Sequence, residues 1–222
     1  MQYLYHPNAS SPLLELTGDA HRYLFKVRRH RVGEVIALRN LQDGILYNYH
    51  IDTMDKKTAR LSLQSQQQLE IMAKQSLHLG WCMIDPKSIE KSLPTLNECG
   101  VARITFIYCA RSQKQFRLDF DRLEKILLNS SQQSGRSQQM QLASSESLEA
   151  FMRQHPESYL LHFSEQSMDS QESIETIIVG CEGGLTDAEI ALFDPEKIVG
   201  LDTPLILRSE SAVVAVASKL LL

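Results

Sequence analysis

The chain has 222 residues, 43% hydrophobic and 23% charged, which is enough for one large or two small globular domains with an ordinary core. No apolar run approaches the roughly 20 residues of a membrane span. The N-terminal MQYLYHPNASSP lacks the basic-then-apolar layout of a signal peptide, so a cytoplasmic location without membrane association is expected. A net charge of −4 excludes a generally basic nucleic-acid binder, but the charge is uneven: residues 1–70 carry nine Lys/Arg against seven Asp/Glu, and residues 71–222 fourteen against twenty.

In chain order, AHRYLFKVRRHR (20–31) comes first. It holds Arg22, Lys26, Arg28, Arg29 and Arg31 among Tyr23, Phe25, His21 and His30, with no acid. Cations interleaved with aromatics can contact phosphates and stack on bases; a solvated helical turn has the same composition. EVIALRN (34–40), ILYNYHIDTM (45–54) and TARLSLQS (58–65) alternate in hydropathy, with a turn at Gln42-Asp43-Gly44, and predict a β-meander of a small barrel. The polar QSQQQLE (64–70) reads as a linker, giving domains 1–70 and 71–222.

The second region alternates strand-like and helix-like runs. Strands are expected at 77–84, 101–110, 158–163, 175–180 and 197–201, and helices at 88–100, 119–135, 186–194 and 211–222. Thr186 followed by Glu189 is a capping box, and Pro195 stops that helix. The alternation predicts an α/β domain with a mainly parallel sheet covered by helices. Cys82, Cys99, Cys109 and Cys181 form no CxxC pair, so no metal site is expected; Cys82 and Cys109, in apolar runs, read as buried free thiols.

Two segments carry unusual residues. In IIVGCEGGLTDAE (177–189) a buried strand runs into Gly180, Glu182, Gly183 and Gly184 before the capped helix. Glycines there let backbone approach a ligand closely, at the strand end where open α/β sheets bind ligands. A plain tight turn would also explain two of the three glycines. The segment lacks GxGxxG and is not a P-loop. In GLDTPLILRSESA (200–212), Leu205, Ile206 and Leu207 run straight into Arg208, Ser209 and Glu210. The apolar triplet could wall an adenine, and Arg208 could stabilise charge on a carbonyl oxygen. The other reading is an Arg208–Glu210 pair at the last helix, with Ser209 as its N-cap.

These two segments resemble, in order and spacing, the GPEGG-F-(S/T)-xx-E and ILR-(T/S)-ETA signatures of the bacterial 16S ribosomal RNA uridine-N3 methyltransferases, the RsmE family of the SPOUT superfamily. HRYLFKVRRHRVGEVIAL (21–38), NECGVARI (97–104), ARS (110–112) and QQSGRS (132–137) are similar to further family motifs, so the resemblance covers nearly the whole chain. Cys181, Ser211, Leu205, Thr203 and Gln132 depart from the pattern.

The resemblance implies a PUA-like β-barrel followed by a SPOUT trefoil-knot domain. It implies S-adenosylmethionine held by three loops, Leu161-His162-Phe163-Ser164, Gly180 to Gly184 and Leu201 to Arg208. It implies a uridine of 16S ribosomal RNA in the small subunit as substrate, with Arg208 and Glu210 as catalytic candidates, and Arg111 and Arg136 as RNA contacts beside the basic 20–31 segment. A homodimer is implied too; Val213, Val214, Val216, Leu220 and Leu221 of the last helix would suit either its interface or the monomer core. A sulfonium is already an activated methyl donor, so no metal is expected. The alternative is a non-catalytic RNA-binding or ribosome-associated protein with a decayed cofactor site.

Overall fold

The computed structural model describes residues 2–113, 115–171 and 173–222. The chain divides into two compact units, one formed by residues up to Met72 together with Leu128–Gln139, the other by Ala73–Leu127 and Met140–Leu222.

The first unit is a five-stranded mixed sheet. Its strands are β1 (Leu4–Tyr5), β2 (Leu13–Leu16), β3 (Val35–Arg39), β4 (Ile45–Met54) and β5 (Ala59–Gln68), in the order β1-β3-β4-β5-β2. β3, β4 and β5 form the expected antiparallel meander, while β1 joins β3 in parallel. Leu38, Tyr49, Ile51 and Leu61 fill its core together with Leu24. β5 runs on to Gln68, so most of the segment expected as a linker is strand, paired from Ser65↔Asn48 to Gln68↔Ile45. Residues 64–68 are exposed, so the ladder has no buried face there and no hydropathic alternation marks it. Between β2 and β3 lie α1 (Gly18–Arg22) and a π-helical turn, Tyr23–Val27, closed by Arg28 N–H donating to the Tyr23 carbonyl at 2.9 Å. Residues 128–139 join this unit through backbone and side-chain bonds. Gln2 N–H donates to the Gln132 carbonyl at 2.8 Å, and Ser137 N–H to that of Ile71 at 3.0 Å.

The second unit holds β6 (His78–Cys82), β7 (Arg103–Ile107), β8 (Gln141–Ser145), β9 (Tyr159–Leu161), β10 (Thr176–Val179) and β11 (Ile198–Val199), all parallel, in the order β11-β9-β10-β6-β7-β8. Its helices are α2 (Pro86–Cys99), α3 (Phe120–Ser134, which runs across the boundary between the units), α4 (Leu148–Gln154), α5 (Asp187–Ile190) and α6 (Ser209–Leu221). The fold class expected from the alternation is therefore present. β8 and α4 were not anticipated: QLASS is a half-exposed edge strand, and α4, capped by Ser147, is only two turns long. α2 starts on Asp85, whose carboxylate accepts from Ser88 N–H, and ends at Gly100 with φ +101°, a value glycine adopts without a Cβ penalty.

Central strands are buried on both faces. Leu79, Trp81, Ile177, Ile178 and Phe106 have no exposed surface, which is why these stretches read as unbroken apolar runs. A methyl at Gly80 would come within 2.8 Å of Ile178 Cγ1 and 3.0 Å of Ile107 Cδ1, so packing, not backbone angle, demands glycine there. Truncating Ile178 to alanine would cost about 2–5 kcal/mol. In α6, which packs on α2, Val213 and Val216 are fully buried in the monomer core, while Val214, Leu220 and Leu221 are partly buried against it.

Cys82 and Cys109 are joined by a disulfide, which corrects the expectation of free thiols; Cys99 and Cys181 are free and buried. Adjacent parallel strands explain the pairing. Cys82 lies opposite Ile107 in the register, and Cys109 follows two residues later. Among the described residues no helix is long and apolar enough to cross a membrane, and no group of His, Cys, Asp and Glu could hold a metal ion.

Candidate active site

Three loops leave the carboxyl ends of β9, β10 and β11, neighbours in a parallel sheet, and enclose a cleft of about 470 Å³. Ligands of open α/β sheets bind at this end of the strands.

The loop after β9 carries His162, Phe163 and Ser164. His162 N–H donates to the Val199 carbonyl at 2.9 Å, and Ser164 Oγ donates to that of Ile198 at 2.9 Å. Gly200 crosses directly over this loop: a Cβ there would lie 2.4 Å from the Ser164 carbonyl oxygen. The crossing is secured by Gly200 N–H to the Gln166 carbonyl at 2.8 Å and Met168 N–H to the Gly200 carbonyl at 3.0 Å.

The loop after β10 turns tightly between Cys181 and Gly184. Gly184 N–H donates to the Cys181 carbonyl at 2.9 Å, and Gly184 has φ +68°, a left-handed conformation that disfavours a side chain. Two groups hold the loop from outside. Arg111 Nη1 donates to the carbonyls of Gly183 at 2.9 Å and Leu185 at 3.0 Å. Glu189, buried in α5, accepts Ala110 N–H at 2.7 Å on Oε1, and on Oε2 the Thr186 N–H at 2.8 Å and hydroxyl at 2.9 Å. The expected capping box is therefore present, and it also ties the loop to the chain leaving β7.

The loop after β11 runs into α6. Leu205 and Ile206 are 72% and 81% exposed, and Phe163 of the β9 loop 75%. Exposed apolar side chains converging on one cleft cost about 25 cal/mol per Å² of surface left in water, and a ligand face that covers them recovers it. The N-cap of α6 is Arg208, with extended backbone; Ser209 is the first helical residue and does not cap. Its Oγ instead donates to the Gly180 carbonyl at 2.6 Å and accepts Trp81 Nε1–H at 2.9 Å, so a buried serine joins α6, the β10 loop and β6. Among the described residues no ion pair joins exposed Arg208 to half-buried Glu210.

The cleft thus brings together Leu161, His162, Phe163, Gly180, Glu182, Gly184, Leu201, Leu205, Ile206, Leu207 and Arg208. Gly183 and Glu210 do not line it; a Cβ on Gly183 would meet Arg111 Cβ at 3.3 Å. Gly200, outside the expected loops, lines it too, as do Ser209, expected above as an N-cap, and Cys181, a departure inside the expected Gly180 to Gly184 loop. Their contribution lies in contacts with Ser164, Trp81 and Gly184, remote in sequence or made by backbone, which no local motif encodes.

In the first unit Arg22, Lys26, Arg28, Arg29 and Arg31 are all exposed. Arg28 lies over the Tyr23 ring at 5.4 Å and donates from Nε to its hydroxyl at 3.0 Å. Arg136 is half-buried. Its Nε donates to the Gln138 carbonyl at 2.8 Å, its own carbonyl accepts the Tyr3 hydroxyl at 2.8 Å, and burial pulls its pKa down to about 10.

A family model described as an RNA methyltransferase domain matches residues 72–221, and one described as an RNA methyltransferase PUA domain matches residues 16–64. Two curated proteins from strains of Helicobacter pylori, each named ribosomal RNA small subunit methyltransferase E, are 36% identical over 98% of this chain and 98% of their own length. A solved methyltransferase of Legionella pneumophila, in complex with the bound cofactor SAM, is 27% identical with a TM-score of 0.82, covering 99% of this chain and 96% of that one. A ribosomal RNA small subunit methyltransferase E of Neisseria gonorrhoeae bound to S-adenosyl methionine has the same fold, with a TM-score of 0.83 at 20% identity over 99% and 96% of the two chains. By the match over residues 72–221 and the full-length identity, the chain belongs to the ribosomal RNA small subunit methyltransferase E family of RNA methyltransferases.

Proposed function

We propose that this protein transfers a methyl group from S-adenosylmethionine to N3 of a uridine in 16S ribosomal RNA of the small ribosomal subunit. The observation that carries the reading is the cleft at the ends of β9, β10 and β11, with its glycine turn clamped and an arginine at the N-cap of α6. The residues present fit the cofactor. Apolar Phe163, Leu205 and Ile206 suit an adenine ring, and the Gly180–Gly184 turn presents backbone to the ligand.

S-adenosylmethionine, when bound, supplies an activated methyl on a sulfonium. The protein's part is placement and charge. Loops held to each other through Ser164, Gly200, Arg111 and Ser209 fix the cleft before a ligand arrives, so less ordering entropy opposes binding and alignment. As uridine loses the proton on N3, negative charge spreads to O2 and O4. The Arg208 guanidinium, on the cleft wall and without an ion pair among the described residues, is placed to offset that charge. It cannot take the proton, because arginine stays charged at working pH.

We assign RNA docking to the N-terminal unit and methyl transfer to the C-terminal one, with the chain crossing itself in a SPOUT knot and working as a homodimer in the cytoplasm. The family relatives and the basic 20–31 segment support this division. The deciding experiment incubates the protein with S-adenosylmethionine and small subunits from cells lacking it, then maps the RNA by mass spectrometry. One added methyl on N3 of a single uridine is expected. Bound subunits with no added methyl would make the protein an RNA-binding relative without activity.

A further inference from the structure

The first unit has a second cleft, lined by Thr17, Gly18, His21, Arg22, Lys26, Lys56, Lys57 and Thr58. Its two walls come from distant parts of the chain. Arg22 and Lys26 stand on α1 and the π-helical turn, and Lys56 and Lys57 on the turn between β4 and β5.

The walls are built to stay together. Buried His21 donates from Nε2 to the Asp55 carbonyl at 3.2 Å and stacks on Phe25 with ring centres 4.9 Å apart. The β4–β5 turn is closed on itself. The Asp55 carboxylate accepts the N–H groups of Lys57 and Thr58, each at 2.8 Å, and the Thr58 hydroxyl at 2.7 Å, and Asp55 N–H donates to the Thr58 carbonyl at 2.9 Å. Those bonds, led by Lys57 N–H, hold the Asp55 carboxyl down at about 2, so the turn stays intact at any working pH.

Four cations therefore face one cleft, no carboxylate lines it, and among the described residues none of the four is in an ion pair. In a chain of net charge −4 such a concentration of like charge is a cost unless an anion shares it. Arg22 offers a planar fork and the three lysines offer point charges, which together match the oxygens of successive phosphodiesters. We infer that this cleft grips the sugar-phosphate backbone of the substrate RNA, with Lys56 and Lys57 closing on it from one side and Arg22 and Lys26 from the other. The inference rests on the RNA-methyltransferase reading above and adds the β4–β5 turn to its RNA-binding surface.

The experiment measures binding to in vitro transcribed 16S ribosomal RNA by filter retention from 50 to 400 mM salt, alongside calorimetry with S-adenosylhomocysteine. Lys56→Gln with Lys57→Gln should flatten the slope of log affinity against log salt by about 1.4, at roughly 0.7 per lost single-strand phosphate contact. RNA affinity at 100 mM salt should drop about tenfold while S-adenosylhomocysteine affinity stays unchanged. Lys26→Gln, from the opposite wall, should flatten the slope by roughly 0.7, and Lys87→Gln on α2 should leave it alone. Unchanged slopes in both the double variant and Lys26→Gln overturn the inference. The slopes are read from binding alone, so a wild-type protein that binds RNA but adds no methyl would count against the proposed activity and leave this measurement standing.

Discussion

Arg111 Nη1 donates to the carbonyl oxygen of Gly183 at 2.9 Å, and the same nitrogen reaches the Leu185 carbonyl at 3.0 Å. One guanidinium thus brackets the glycine turn of the cleft from behind. Hydrogen bonds from charged donors contribute about 1.5–3 kcal/mol. Arg111→Ala should weaken S-adenosylhomocysteine binding about tenfold or more by calorimetry, with RNA affinity nearly unchanged. The reverse pattern would assign Arg111 to RNA. Gly183→Val should imitate the cofactor defect, because its Cβ would press on Arg111 Cβ at 3.3 Å.

Ser209 links Trp81 Nε1–H to the Gly180 carbonyl through a single buried hydroxyl. Ser209→Ala leaves the indole N–H without a partner, at about 1–3 kcal/mol. The melting temperature should fall by several degrees, on the order of 2–4 °C per kcal/mol for a chain of this size. Cofactor affinity should fall with it, since Gly180 loses its anchor. An unchanged melting curve would mean that water replaces the hydroxyl.

Arg208 is exposed on the cleft wall and has no ion pair with Glu210 among the described residues. Arg208→Lys keeps the charge but loses the fork of donors. Single-turnover methyl transfer should slow on the order of 100-fold, with S-adenosylhomocysteine affinity little changed. A near-normal rate would remove Arg208 from the chemistry.

His78 opens β6, with Nε2 2.8 Å from Thr105 Oγ1 and its ring edge-on to Phe151 and His155. Burial, reinforced by His155 and Arg103, pushes its pKa from 6.5 down to about 4. Between those values the unfolded chain binds more protons than the folded one. Stability therefore falls as pH drops from 6.5 to about 4 and levels off below. Urea midpoints at pH 7 and pH 4.5 should differ less in His78→Gln than in the wild-type protein. Equal differences would place the acid-sensitive group elsewhere.

Local pattern was enough for much of this molecule. The alternating runs of 34–63, the apolar strands β6, β7 and β10, and the 186–189 capping box each follow from interactions within a few residues or from one buried face, and each is written in hydropathy or side-chain type. The two glycine- and arginine-bearing segments stood out by residue type and spacing, and the structure brings residues of both to one cleft. Where no face is buried, as at Gln66–Gln68, or where a strand is two residues long and pairs far away, as in β1, the pattern carries no signal. Tertiary structure alone placed Gly200 against Ser164, Trp81 against Ser209, Cys82 beside Cys109 and Arg111 behind Gly183. It alone also brought Lys56 and Lys57 across from Arg22 and Lys26. Those pairs depend on strand order and on which loop crosses which, and strand order is decided by how the whole sheet buries its apolar faces, not by any single stretch of the chain.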